Sequence, residues 1–281
     1  MDQLTTAVEI GDMTPAALAA LIGLVHKHTG IAMTERKSIL LQGRLRPRLR
    51  ALSLHSYEDY FKLVEQRDAE VQLFINMVTT NDTAFFRTPH VWDFFKKYLS
   101  SWSVQHPGKT LKIWSAAAAS GEEAYSMAML CQEFQRTKPG FQYQILATDI
   151  SSAVIATAQT GLYGGRSIER VKVSHPTFYA QYFTSEGNNA RLDEGLKKHI
   201  RFAEHNLLQP LKTQERFDLV FLRNVLIYFE EDHQKKVVDL LRQNMVDEAK
   251  LILGESESLN RINTCYVLES PLVYTIRSGA V

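Results

Sequence analysis

The sequence predicts an α/β protein: a doubly wound, Rossmann-like parallel sheet, preceded by a small all-helical domain and interrupted by a small antiparallel β insertion. Three observations carry this. Beyond residue 110, apolar runs at 111–116, 143–148, 217–222 and 250–253 alternate with helical patterns at 122–134, 153–159 and 232–245, the rhythm of βαβ units. Residues 1–80 show only helical apolar spacing. Residues 178–202 break the alternation with a polar turn, SEGNNARLDEG, between short β-like segments.

Taken in order, Thr14-Pro15 is an N-cap followed by proline at the first helical position. The spacing of Leu18, Leu21, Ile22 and Val25 continues that helix to Gly30. A second helix follows Thr34, with Leu41, Leu45, Leu49 and Leu52 on one face and Lys37, Arg44 and Arg48 on another. Pro47 should kink or break it, because proline removes a backbone donor. Ser56 and Asp59 cap a third helix through Tyr60, Phe61 and Val64, and 71–78 forms a fourth. Residues 81–110 read as a linker ending in a helix that restarts at Thr88-Pro89. After the parallel strands, 265–268 and 272–276 flank Ser270-Pro271 as an edge hairpin.

Composition narrows the function classes. Thirty-two basic residues oppose thirty-one acidic ones, so no global field draws the chain to nucleic acid or to a membrane. Charge is instead local: seven basic residues and one acid lie between Lys27 and Arg50, without the interleaved aromatics that nucleic acid binding favours. Cys131 and Cys265 lack metal or redox spacing and are expected as buried thiols, with no metal site. The N-terminal stretch has no basic segment before an apolar one, and no apolar run reaches membrane-spanning length; the expectation is a cytoplasmic protein.

The chemistry centres on IWSAAAASGEEAYSMAM, residues 113–129. An apolar strand runs into small residues, then Ser120-Gly121, then an acidic pair opening an amphipathic helix. Small residues let the backbone approach a ligand, and helix-start N–H groups are free to meet it. The G-x-G-x-x-G of a pyrophosphate site is missing, which disfavours a nicotinamide dehydrogenase, and Glu122 and Glu123 would repel a diphosphate. Acid there suits ribose hydroxyls or a cationic group, as in S-adenosylmethionine. Asp149, ending YQILATDI, is placed to hold ribose hydroxyls or to cap the following helix. Asn206 in NLL, and Asn224 with Tyr228 in RNVLIYF, follow further strand ends, where asparagine can bind a ligand or satisfy loop backbone.

NDTAFFR at 81–87, SAAAASGEEAYS at 115–126, ATDIS, NLL and FDLVFLRNVLIYF, in this order, resemble the CheR-type chemoreceptor glutamate methyltransferases of bacterial chemotaxis, which have the class I methyltransferase fold. The resemblance spans nearly the whole chain. It implies methylation of glutamate side chains on chemoreceptors, with S-adenosylmethionine converted to S-adenosylhomocysteine. It implies cofactor contacts from Asn81, Thr83, Arg87, Glu123, Asp149, Asn206, Leu207, Asn224 and Val225, and it sets Arg87 and Tyr228 beside the methyl-transfer centre. The implied partner is the cytoplasmic region of a methyl-accepting receptor, docking on Lys37, Arg44 and Arg48, with a receptor C-terminal peptide at the β insertion. The sequence departs from the family pattern in places: Ala118-Ala119 replace Cys-Ser or Ala-Ser, small for small; Ala124 replaces a frequent proline; and Glu255 in GESESL, with no Gly-Gly turn before it, stands where histidine or phenylalanine is usual.

A glutamate substrate is already ionised at neutral pH, so no general base is required and His90, His205 and His233 are expected to be surface or structural residues. Arg87 would hold one carboxylate oxygen and Tyr228 would fix the angle of attack. The competing readings are a methyltransferase acting on another protein or a small molecule, and a non-catalytic adenosylmethionine-binding scaffold.

Overall fold

The computed structural model describes residues 9–277 and forms two units. The remaining N-terminal residues of the stretch discussed above, 1–8, lie outside the described residues. The smaller unit holds the described residues up to Thr80 together with Tyr228–Glu230; the larger holds Asn81–Ile227 and the chain from Glu231 onward.

In the smaller unit, α1 (Pro15–Thr29) starts at Thr14, whose hydroxyl accepts the Ala17 N–H, and stops at Gly30 with φ 73°. A 3-10 turn, Glu35–Lys37, leads into α2 (Ser38–Ala51). Pro47 does not break α2, contrary to expectation. The carbonyl it deprives of a donor is that of Gly43, four residues back, which is exposed, so water can serve it. α3 (Tyr57–Gln66) is capped by Ser56, which accepts the Asp59 N–H, and α4 is Asp68–Val78. Leu41, Leu45 and Leu49 of α2 are fully buried in a core with Leu21, Tyr60 and Phe74. The segment Tyr228–Glu230 joins this unit: the Tyr228 carbonyl accepts the Ala32 N–H, and Ile31 bridges Phe229.

The basic face of α2 is not wholly turned to solvent, which corrects the expectation for two of its three cations. Arg48 forks onto the buried Glu70, with Nε–Oε1 at 2.8 Å and Nη2–Oε2 at 2.6 Å, and Tyr60 donates to the same carboxylate. Arg44 donates to the Val78 carbonyl and the Thr80 hydroxyl, closing the end of α4. Lys37 is exposed.

The larger unit begins with α5 (Pro89–Gln105), β1 (Thr110–Ser115), α6 (Glu122–Thr137), β2 (Gln142–Asp149) and α7 (Ser152–Thr160). Next come β3 (Leu162–Gly164), α8 (Gly165–Ser174), α9 (Pro176–Tyr182), β4 (Phe183–Glu186), β5 (Asn189–Leu192) and α10 (Glu194–Lys197). It closes with β6 (Ile200–Glu204), β7 (Phe217–Leu222), α11 (Glu231–Arg242), β8 (Met245–Leu253), β9 (Tyr266–Ser270) and β10 (Val273–Ile276). The main sheet has the order β6-β2-β1-β7-β8-β10-β9, parallel from β6 to β8, with β10 antiparallel to both neighbours. The chain winds outward from β1 through β2 to β6 and returns on the other side with β7. The switch point, where an open sheet leaves a crevice for a ligand, therefore lies at the carboxyl ends of β1 and β7.

Two boundaries differ from the sequence reading. Residues 81–110 are no linker: Phe85, Phe86, Trp92, Phe95, Leu99 and Trp102 are buried in the core of the larger unit. The β insertion is not 178–202 either. Its sheet is β3-β5-β4, so it reaches back to Leu162, residues 176–182 are helical, and Ile200–Glu204 is a strand of the main sheet paired with β2. β3 has three residues, too few to show alternation, while β6 borders the sheet edge with exposed positions and so mimics an antiparallel strand. Cys265 is only partly buried, whereas Cys131 is buried as expected.

The Arg48 hydrogen bond holds the Glu70 carboxyl below its ordinary 4.5. A depressed carboxylate stabilises the fold above its unfolded value, and that stabilisation is lost as pH falls through the folded one. Arg48→Glu should lower unfolding stability by about 2 kcal/mol or more at neutral pH, since it faces a buried carboxylate with another. Denaturant unfolding followed by circular dichroism measures this, and an unchanged midpoint would return Arg48 to the free surface.

Candidate active site

β1 ends at Ser115, and the small-residue run behind it is pinned to both neighbouring strands. The Ala116 N–H donates to the Phe221 carbonyl of β7, and the Ala118 N–H to the Thr148 carbonyl of β2. The turn needs left-handed backbone at Ala119, φ 46°, and at Gly121, φ 93°. A Cβ at Gly121 would lie 2.8 Å from that of Ala158 and 3.2 Å from the Tyr163 hydroxyl, so only glycine lets α6 start here.

Asp149 closes this turn from the end of β2. One oxygen accepts the Ala119 N–H at 2.9 Å and the other the Ser151 N–H at 3.0 Å, while Ser151 itself is the N-cap of α7. The Ile150 N–H also bonds this carboxylate, so three backbone donors leave it at least one acceptor direction for a ligand hydroxyl. Glu122 accepts from the Ser120 and Ser167 hydroxyls at 2.7 and 3.1 Å. Burial pushes the Glu122 and Asp149 carboxyls above their ordinary values.

Glu123 has a different setting. The Ser115 hydroxyl donates to one oxygen at 2.8 Å, and Arg223, whose side chain is 2% exposed, donates to the other at 2.9 Å. Arg223 also reaches the Arg87 carbonyl at 3.3 Å. Sequence reasoning did not select Arg223; its place directly after the buried strand β7 was the available signal, since a buried arginine must have an anion.

Arg87 sits between two non-glycine residues with left-handed backbone, Phe86 at φ 52° and Thr88 at φ 65°. Such positions are costly and persist only where surroundings enforce them. Here the Phe86 N–H donates to the Ser126 hydroxyl, the Trp92 indole N–H donates to the Arg87 carbonyl, and the Thr88 hydroxyl pairs with Glu255. The Arg87 guanidinium donates to the Asp82 carbonyl, while its nearest approach to the Asp82 carboxylate is 3.8 Å. Asn81 and Thr83 are half-buried in the same loop.

At the end of β6, Asn206 accepts the Leu208 N–H at 3.0 Å, closing its own turn, and Leu207 is buried. At the end of β7, Asn224 has φ 60°, and the N–H groups of Asn224 and Val225 both point to Glu257, which sequence reasoning also missed. The larger unit thus brings Asn81, Thr83, Arg87, Glu123, Asp149, Asn206, Leu207, Asn224 and Val225 to the loops at the carboxyl side of its sheet. Tyr228, Lys37, Arg44 and Arg48 belong to the smaller unit. The acceptor-rich acids around a small-residue turn fit an adenosyl ligand carrying hydroxyls and positive charge, and oppose a polyphosphate.

Residues 81–271 match the family model for the CheR methyltransferase, SAM binding domain, and residues 16–79 match that for the CheR methyltransferase, all-alpha domain. The chain belongs to the CheR methyltransferase family. The chemotaxis protein methyltransferase of Escherichia coli K12 is 30% identical, covering 98% of this chain and 94% of that protein. Chemotaxis protein methyltransferase 2 of Pseudomonas aeruginosa is 32% identical over 83% of each chain, and the enzyme of Borreliella burgdorferi is 29% identical over 88% of this chain and 90% of its own. This CheR methyltransferase uses S-adenosylmethionine, and its methylation serves chemotaxis.

The raised carboxyls carry a stability consequence. Where the folded value exceeds the unfolded one, the folded state binds more protons, so stability falls as pH rises from the unfolded value through the folded one. Glu122→Gln keeps the shape, and its serine partners can reorient their hydroxyls. The variant should raise the melting temperature of the ligand-free CheR methyltransferase by roughly 2–4 °C at about pH 7.5, corresponding to ~1 kcal/mol, with no gain near pH 4. Scanning calorimetry across that range decides it; a lowered midpoint at the higher pH would show that Glu122 stabilises the empty site.

Proposed function

We propose that this enzyme is a protein-glutamate O-methyltransferase of the cytoplasm that forms methyl esters on glutamates in the cytoplasmic region of methyl-accepting chemotaxis receptors. One observation carries the reading. Arg87 is fixed through its backbone on a strained turn, yet among the described residues its guanidinium meets no carboxylate closer than 3.8 Å and is about one-third exposed. A cation held in place but weakly paired is ready for an incoming carboxylate, which arginine's planar fork matches.

When bound, S-adenosylmethionine supplies an electrophilic methyl group on a sulfonium sulfur. Asn81, Thr83, Glu123, Asp149, Asn206, Leu207, Asn224 and Val225 hold it in this proposal, with the acids taking hydroxyl and ammonium hydrogens. Arg87 orients the substrate carboxylate by one oxygen and leaves the other free to attack. Tyr228 donates a hydrogen bond that sets the direction of attack. No side chain removes a proton, because the glutamate arrives ionised; the residues bind, orient and exclude water.

For docking, the exposed Arg36 and Lys37 of the turn leading into α2 and the exposed Arg50 near its end are the cations available to a receptor's acidic helices; Arg44, held by a neutral carbonyl and hydroxyl, adds to that field, while Arg48 is neutralised by Glu70. A receptor tail peptide would pair with an edge of the β3-β5-β4 sheet, at the edge strand β4.

Incubation with methyl-labelled S-adenosylmethionine and receptor-bearing membranes, followed by alkali, should release volatile labelled methanol, which only an ester yields. Arg87→Ala should reduce turnover about 100-fold or more while changing S-adenosylhomocysteine affinity far less, and lysine should restore little. Near-normal turnover would remove Arg87 from the centre. Reversing Arg36 and Lys37 to glutamate should raise the receptor KM several-fold at low salt, with added salt bringing wild type toward the mutant. Equal efficiency of both proteins in low salt would show that recognition lies elsewhere.

A further inference from the structure

The turn behind β7 hangs on one carboxylate. Glu257, 8% exposed, accepts the N–H groups of Val225 and Leu226 on one oxygen, each at 2.7 Å, and those of Asn224 at 2.8 Å and Gly254 at 2.6 Å on the other. Four donors fill the usual acceptor capacity of a carboxylate. The turn needs them because left-handed Asn224, φ 60°, points successive N–H groups the same way, and the 3-10 turn Leu226–Tyr228 opens there without earlier carbonyls to serve them. Gly254 completes the fit. A Cβ on it would lie 2.6 Å from a Glu257 oxygen and 2.8 Å from both nitrogens of Asn224.

We propose that Glu257 is a positioning residue of the methyltransferase site. By saturating the donors of 224–226, it fixes where the Asn224 side chain and the Val225 backbone meet the cofactor, and it sets the start of the short turn that carries Tyr228. It also fills a concavity of N–H groups, which would otherwise collect anions, with the protein's own carboxylate, and so leaves a wall suited to a cationic ligand. This rests on the reading that Asn224 and Val225 touch S-adenosylmethionine.

Glu257→Gln keeps the volume but turns a nitrogen with its own hydrogens toward two of the four donors. Calorimetric titration with S-adenosylhomocysteine should then give a Kd at least tenfold higher at a stoichiometry of one, with a matching rise in KM for S-adenosylmethionine and an unchanged receptor KM. Gly254→Ala, whose Cβ crowds both the carboxylate and the Asn224 nitrogens that it holds, should show the same split and serves if the glutamine variant does not fold. A merely structural role would lower the melting temperature and the binding-competent fraction while the Kd stayed at the wild-type value, and that result overturns the proposal. Asn224→Ala separates the two readings. If it weakens S-adenosylhomocysteine while Glu257→Gln and Gly254→Ala bind normally, only the positioning role falls; if it too binds normally, the turn is outside the site and both readings fall.

Discussion

A parallel sheet that holds a ligand at its carboxyl ends must reverse the chain within a few residues there, and each reversal strips backbone N–H groups of their carbonyl partners. Here buried carboxylates take those donors. Asp149 serves Ala119 and Ser151, and Glu257 serves Asn224, Val225, Leu226 and Gly254. Hydrogen bonds to a charged group contribute roughly 1.5–3 kcal/mol each, and losing a buried partner costs the remaining donors their desolvation as well. The loops are therefore shaped by acids more than by apolar packing.

This arrangement also sets the charge of the site. Glu122, Glu123 and Asp149 gather around one turn, and Arg223 neutralises Glu123 from within the protein. What remains open to a ligand is a surface of acceptors, matched to hydroxyls and to positive charge. Arg87 stands apart from that surface in character: its backbone is locked by Arg223 and Trp92, and its guanidinium is the weakly paired cation of the loop. One chain of contacts, Ser115 to Glu123 to Arg223 to the Arg87 carbonyl, thus links the acid turn to the residue proposed to receive the substrate carboxylate.

The helical unit shows how a basic stripe divides its labour. Arg48 and Arg44 are consumed in holding α2 against α4, through Glu70 and the Val78 carbonyl, while Arg36 and Lys37 face solvent. A near-neutral protein can in this way present local positive charge without attracting every anion around it.

Much was legible in the sequence because it depends on neighbours along the chain. Apolar periodicity located four of the five parallel strands, all but β6, and the helices between them, Thr14-Pro15, Gly30 and Ser56 marked helix ends, and the small-residue run with Gly121 marked the turn between β1 and α6. Three things depended on the folded surroundings. Pro47 stays inside a helix because Gly43 faces water; Leu162–Gly164 becomes a strand only when β5 lies beside it. Arg223 and Glu257 gain their roles from partners 100 and about 30 residues distant. Local pattern reports which backbone shape a segment prefers, whereas the pairing of a buried charge is set by which loops the finished sheet brings together, and no spacing in the chain encodes that directly.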